Sequence, residues 1–190
     1  MSEDSELNAS KRTMIELWEE HLSYEFEAHS PEKTLSTMTE DPVNINVPLL
    51  TGGVGVEEVR KYYSEYFIPK NPPDTEVTLL SRTVGEDRLV DELIQKFTHT
   101  IEMDYMLPGI PPTGRRVEVP VAVVVEFRDG KIASEHIYWD QASVLVQVGL
   151  LDANTLPVVG SESARKMLDP ASVPSELLIE RAKRGKLGLG

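Results

Sequence analysis

Three residues late in the chain, His99, His136 and Asp140, are the first candidates for chemistry. A carboxylate on an apolar wall has its charged form penalised by desolvation. Its pKa rises, and it can take and return protons near neutrality. A nearby imidazole titrates in the same range and can share that proton or orient the carboxylate. Asp140 with His99, His136 or both would then form an acid–base set, provided one apolar cavity holds them. Each also has a bland reading. Asp140 precedes a helical stretch and suits an N-cap. A buried histidine can simply bond a backbone carbonyl.

Strand alternation is what would bring these residues together. Leu89–Tyr105 reads as a long strand whose odd positions, including Leu89, Leu93, Gln95, Phe97, His99, Ile101 and Tyr105, form a mainly apolar face. Arg116–Phe127 reads as another, with valine at every odd position from Val117 to Val125. Asp129-Gly130 is a strong hairpin signal, so Lys131–Gln141 returns beside it with Arg128 opposite Lys131. In that register Val123 faces His136, Val121 faces Tyr138 and Val119 faces Asp140. A slip of one residue would turn Ala133, Ile137 and Trp139 inward instead. Thr75–Val84 is the strand before these. With a Glu86-Asp87 turn, Arg82 stands opposite Asp91 as a cross-strand ion pair. The expected cavity carries Phe97, Tyr105, Val121 and Tyr138, with Trp18 and Trp139 as further substrate contacts.

The N-terminal half supplies the cover. Residues 1–9 are polar and expected to fray. Residues 10–29 read as a helix with Met14, Trp18, Leu22 and Phe26 on one face and His21 beside them. Ser30-Pro31 starts a short helix through Met38. Asp41–Leu50 is a short strand closed by a Thr51-Gly52-Gly53 turn, and a helix runs from about Val56 to Phe67 before Pro69, Pro72 and Pro73. Leu107–Gly114 is a Pro- and Gly-rich loop, and Ala142–Leu151 is a closing helix. Residues 10–152 are the expected domain. Residues 153–190 are an extension with one helix near Ser175–Arg184, packed on the domain or a partner, and a mobile Gly-rich end.

Composition narrows the classes. The 190 residues hold 19 Lys+Arg against 32 Asp+Glu, a net charge of −13, which disfavours binding to nucleic acid or to an anionic membrane. Cysteine is absent, which excludes disulfides and thiol nucleophiles. The acidic start does not read as a signal peptide, and no apolar run reaches membrane-spanning length, so a cytoplasmic protein is expected. Gly52-Gly53-Val54-Gly55 has no following GKS or GKT and is no phosphate loop. No compact ligand spacing points to a metal, and none is expected.

The order helix, helix, strand, helix, then long antiparallel strands resembles the nuclear transport factor 2-like superfamily. More narrowly, Phe97-Thr98-His99-Thr100, Leu107–Arg115 (LPGIPPTGR), Phe127–Ile132 (FRDGKI) and Glu135–Gln141 (EHIYWDQ) resemble the SnoaL-like polyketide cyclase group over about residues 10–152. The resemblance implies an α+β fold: a cone-shaped, curved antiparallel sheet packed on N-terminal helices and enclosing an apolar pocket. It also implies a homodimer, no cofactor, and acid–base chemistry in which Asp140 matches the family's aspartate and His99 its histidine. His136 and Tyr138 on the same face depart from that pattern. The expected activity is cofactor-independent cyclisation, isomerisation or dehydration of a small, apolar, oxygenated metabolite. Epoxide or lactone hydrolysis and non-catalytic binding of a hydrophobic ligand are the alternatives.

Overall fold

The computed structural model describes residues 3–185. Helix α1 spans Glu3–Phe26. It starts upstream of the expected residue 10, in a stretch whose sequence contains neither Gly nor Pro. Helix α2 spans Pro31–Ser36, with Ser30 as its N-cap and Pro31 in its first turn. Strand β1 (Met38–Asn46) pairs with β2 (Thr51–Val54), so the glycines expected to form a turn belong to a strand and the turn is 47–50. Helix α3 (Val56–Lys61) runs into a π-helical segment (Tyr62–Phe67) and a 3-10 turn (Ile68–Lys70). The wider π turn lets the consecutive Tyr62 and Tyr63 both be buried.

Four long strands complete the sheet: β3 (Glu76–Val84), β4 (Arg88–Thr98), β5 (Arg116–Arg128) and β6 (Lys131–Trp139). The order is β2-β1-β6-β5-β4-β3. All neighbours are antiparallel except β1 and β6, which run parallel. Curved and open, the sheet packs its inner face on α1 and the π segment. Val117, Val119, Val125, Phe97 and Leu89 are completely buried on that face. Each contributes roughly 1.5–3 kcal/mol by leaving water.

Strand β4 ends at Thr98, not at Tyr105. Its partner β5 begins at Arg116, and the residues a longer ladder would need include Pro111 and Pro112, which have no N–H to donate. The chain instead closes a loop from His99 to Arg115, pinned by His99 N to Arg115 O (2.9 Å) and Gly114 N to His99 O (2.9 Å). Met103, Tyr105, Met106 and Leu107 of this loop are buried.

The hairpin between β5 and β6 decides the site. Arg128 pairs with Lys131 and Phe127 with Ile132, as the Asp129-Gly130 turn requires. Then Glu126 pairs with Ser134, which leaves Ala133 as one extra residue on β6. In this β-bulge Ile132 and Ala133 are both buried. Beyond it the register is shifted by one, so Val125 faces Glu135, Val123 faces Ile137 and Val121 faces Trp139. The expectation that His136, Tyr138 and Asp140 face inward is therefore overturned.

After β6 come α4 (Gln141–Gln147), α5 (Glu162–Leu168) and α6 (Leu177–Lys183). Helix α5 was not expected. Its Ala164 is fully buried, and Ser143 Oγ of α4 donates to Gly160 O (2.7 Å), so this part of the extension packs on the domain. The expectation of a mobile end concerns residues 186–190, outside the described residues. Among the described residues no helix is long and apolar enough to cross a membrane.

Gly52 allows β1 and β2 to approach. Its φ is +130°, and an added Cβ would lie 2.0 Å from Asn44 O. Gly52→Ala should lower stability by about 2 kcal/mol or more in urea denaturation. Gly85→Ala, whose Cβ would meet nothing closer than 3.5 Å, should leave it nearly unchanged.

Candidate active site

Between α1, the π segment and the inner face of the sheet lies a cavity of about 340 Å³. Trp18, Tyr105, Val121 and Trp139 line it, as expected. Phe97 is buried in the core but does not line it, and Tyr138 is 43% exposed on the other side of the sheet.

The three residues expected to carry catalysis are not brought together. Asp140 is exposed and caps α4: its Oδ1 accepts from Ala142 N (2.9 Å) and Ser143 N (3.3 Å). His136 lies on the outer face of β6, in register with Val124. His99 is fully buried, but it anchors the 99–115 loop, with Nδ1 3.2 Å from Thr113 Oγ1 and accepting from Thr113 N (3.3 Å). Its Nε2 has no partner. Burial lowers its pKa, which favours the neutral ring. None of the three lines the cavity.

A different histidine stands behind the cavity wall. His21 of α1 is fully buried, with Nε2 3.2 Å from Glu25 Oε1 and 3.2 Å from Glu135 Oε1. Glu25 lies one helical turn further along α1, and Glu135 is turned inward by the bulge. Thr37 Oγ1 donates to Thr34 O (2.6 Å), so it must accept from His21 Nδ1 (2.6 Å). Nδ1 then carries a proton, and the two carboxylates at Nε2 favour a second one there, making the ring an imidazolium. Tyr63 Oη donates to Glu135 Oε1 (2.8 Å) and lies 3.3 Å from His21 Nε2. Desolvation alone would lower the His21 pKa, but Glu135 and Glu25 outweigh it and raise the pKa to about 10. Burial raises that of Glu25, partly offset by His21. Burial and the two carboxylates keep Tyr63 protonated far into the alkaline range.

A second polar group occupies the same wall. Asp91 of β4 is 2% exposed and lines the cavity. Arg82 holds it from β3 through Nε (2.7 Å) and Nη2 (2.9 Å), and Trp18 Nε1 donates to its Oδ2 (2.8 Å). The cross-strand pair expected from the turn is thus present. The Trp18 ring stacks on His21 at 5.3 Å between centroids, which links the two groups and suits a charged imidazole.

The donor atoms of His21, Glu25 and Glu135 lie within 4.8 Å of one another, a set that could bind a divalent ion if His21 lost its Nε2 proton. The hydrogen bonds already account for the arrangement without one.

Sequence reasoning passed over this set, although one signal was available. Trp18, His21 and Glu25 fall at i, i+3 and i+7, so two ionisable residues lie on the buried face of α1. Glu135 had no such signal, because only the bulge turns it inward.

Residues 18–135 match the SnoaL-like domain family, and the chain belongs to that family. No match to a curated protein accompanies it. Among solved structures, TsrD from Streptomyces laurentii superposes with a TM-score of 0.59 at 20% identity, covering 74% of this chain and 98% of that one. A protein provisionally named a SnoaL-like polyketide cyclase, from Jannaschia sp. CCS1, gives 0.58 at 19% identity, covering 75% and 96%. AclR from Streptomyces galilaeus, provisionally named a hydroxylase, gives 0.58 at 19% identity and covers 94% of this chain and 93% of its own. These likenesses establish the nuclear transport factor 2-like fold.

Two outcomes are expected from the site. The raised His21 pKa contributes stability that is fully present below its ordinary value of 6.5 and is lost as pH rises through about 10. The raised Glu25 pKa acts in the same direction. The urea midpoint should therefore fall between about pH 7 and pH 10, and His21→Gln should flatten that fall. Asp140→Ala should cost about 1 kcal/mol, whereas Asp140→Asn, still a good cap, should cost little.

Proposed function

We propose that this SnoaL-like protein is a cofactor-independent acid–base enzyme whose proton-transfer group is Glu25 rather than Asp140. Its substrate is a small, largely apolar, oxygenated molecule, and the outcome is cyclisation, isomerisation or dehydration. The observation that carries this reading is the buried His21–Glu25–Glu135–Tyr63 set at the wall of a largely apolar cavity. Glu25 lines the cavity, and burial shifts its pKa towards the range in which a carboxylate can both accept and return a proton. His21, locked by Thr37, holds Glu25 in place and balances charge when a proton moves. Tyr62 supplies a hydrogen-bond donor. Asn46 Nδ2 donates to its hydroxyl (2.6 Å), which leaves the Tyr62 O–H for an oxygen in the cavity. Its pKa is raised well above the ordinary value, by burial first, so it stays protonated. A carbonyl oxygen there would gain a stronger hydrogen bond as it becomes an enolate.

Hydrolysis of an epoxide or lactone is the second reading. It would need a water held by Glu25 or Glu135. Asp91 is less suited to that role, because Arg82 and Trp18 already occupy both its oxygens. A homodimer is expected through the outer sheet face, where Tyr138 is exposed.

The test is wash-in of solvent deuterium next to the carbonyl of a bicyclic ketone such as 2-tetralone, followed by NMR. The wild-type protein should accelerate exchange over buffer. Glu25→Gln should reduce the acceleration by about 10²–10³-fold, within the usual range for a general base, while Asp140→Asn should leave it unchanged. Full exchange in the Glu25 variant would remove Glu25 from the mechanism. Protein-accelerated incorporation of one oxygen-18 from solvent into the hydroxy acid formed from a lactone would favour hydrolysis.

A further inference from the structure

The cavity combines aromatic walls with more carboxylates than cations. Its charged lining residues are Glu25, Asp91 and Glu135, and no Lys, Arg or His lines it among the described residues. The charges behind the wall do not balance these three. Arg82 neutralises Asp91 through a two-pronged contact, and its remaining ion pair is with Glu19. His21 stands between Glu25 and Glu135 and can neutralise one of them. One carboxylate of the Glu25–Glu135 pair has no cation of its own, so it must either hold a proton or meet a cation from the cavity.

Burying such a charge is costly, and a bound cation would remove the cost. The rest of the lining suits a weakly hydrated organic cation. Trp18, Tyr62 and Trp139 present rings, as do Phe26, Phe67 and Tyr105. Aromatic faces attract alkylated ammonium groups, and they do so most strongly where water is excluded. A metal ion or a small hydrated cation would gain little from six rings.

We infer that the ligand of this cavity carries an alkylated ammonium group, seated against the aromatic rings and paired with the Glu25–Glu135 carboxylates. This deepens the proposed function, on which it rests, by adding a charge to the apolar, oxygenated substrate. The titratable groups that face Glu25 are His21 on its own helix, Tyr62 and Tyr63 of the π segment and Glu135 of β6. Because burial raises the Glu25 pKa, part of the free protein holds Glu25 protonated above the pH at which an ordinary carboxylate ionises. Binding of a cation then releases that proton, and affinity rises with pH until Glu25 is ionised.

The experiment compares two matched probes by calorimetry. One is benzyl(2-hydroxyethyl)dimethylammonium. The other is its neutral carbon isostere, 3,3-dimethyl-4-phenylbutan-1-ol. Both tryptophans of the chain line the cavity, so quenching of intrinsic fluorescence locates the probes there. The cation should bind roughly tenfold tighter than the isostere at the alkaline end of a pH series, and the ratio should shrink as the pH is lowered. Its binding heat at the acidic end of the series should depend on the buffer, because a proton is released. Glu25→Gln should abolish the pH dependence and most of the preference, with binding of the neutral probe retained. If that variant does not fold, the pH and buffer dependence of the wild-type protein decides the matter. Equal or tighter binding of the isostere would overturn the ammonium inference and leave the acid–base reading standing. Binding of neither probe would overturn both.

Discussion

A fully buried imidazole clasped by two carboxylates ties this molecule together. His21 and Glu25 belong to α1, Glu135 to β6, Tyr63 to the π segment and Thr37 to the end of α2. Each group would be costly to bury alone, and the hydrogen bonds among them offset much of that cost, with one imidazole shared by two carboxylates. Removing one partner from such a set typically costs about 3–5 kcal/mol, because the charges left behind have no water to turn to. The set therefore holds the helical cover at a fixed distance from the sheet. That distance leaves an apolar hollow rather than a filled core.

The same constraint sets the chemistry. Desolvation penalises every charge on the wall, and the local partners decide which charges persist. Arg82 and Trp18 hold both oxygens of Asp91, which suits that residue to shaping the electric field and fixing the indole. Glu25 shares its cation with Glu135, so its charged form is only partly supported. Two carboxylates in one cavity are thus given different tasks by their neighbours. The π segment adds to this by presenting Tyr62 to the cavity and Tyr63 to the charge cluster from adjacent positions.

Local chain chemistry made several features legible from residues alone. The Ser30-Pro31 start of α2, the Arg82–Asp91 pair and the valine face of β5 follow from capping, a tight turn and period-two alternation, all of which act over a few residues. The motif resemblance and the mixed α+β architecture were likewise readable. Of the cavity residues, Trp18, Tyr105, Val121 and Trp139 could be named because large apolar side chains on a buried stripe have few other places to go.

Tertiary structure decided the rest. The Asp129-Gly130 turn sets only the first pairs of its hairpin. One extra residue at Ala133 then reverses the facing of everything beyond it, placing Glu135 inside and His136 and Tyr138 outside. No local preference marks that bulge, because its benefit lies in the packing of Ile132 and Ala133 and in the buried partners waiting for Glu135. His99 shows the same limit, since its place was set by the loop to Arg115 closing beneath the sheet, not by continued alternation along β4. Sequence by itself determined the family, the layers and much of the apolar lining. Which ionisable groups meet in the cavity was settled by contacts between residues far apart in the chain, where a shift of one residue changes the side of the sheet.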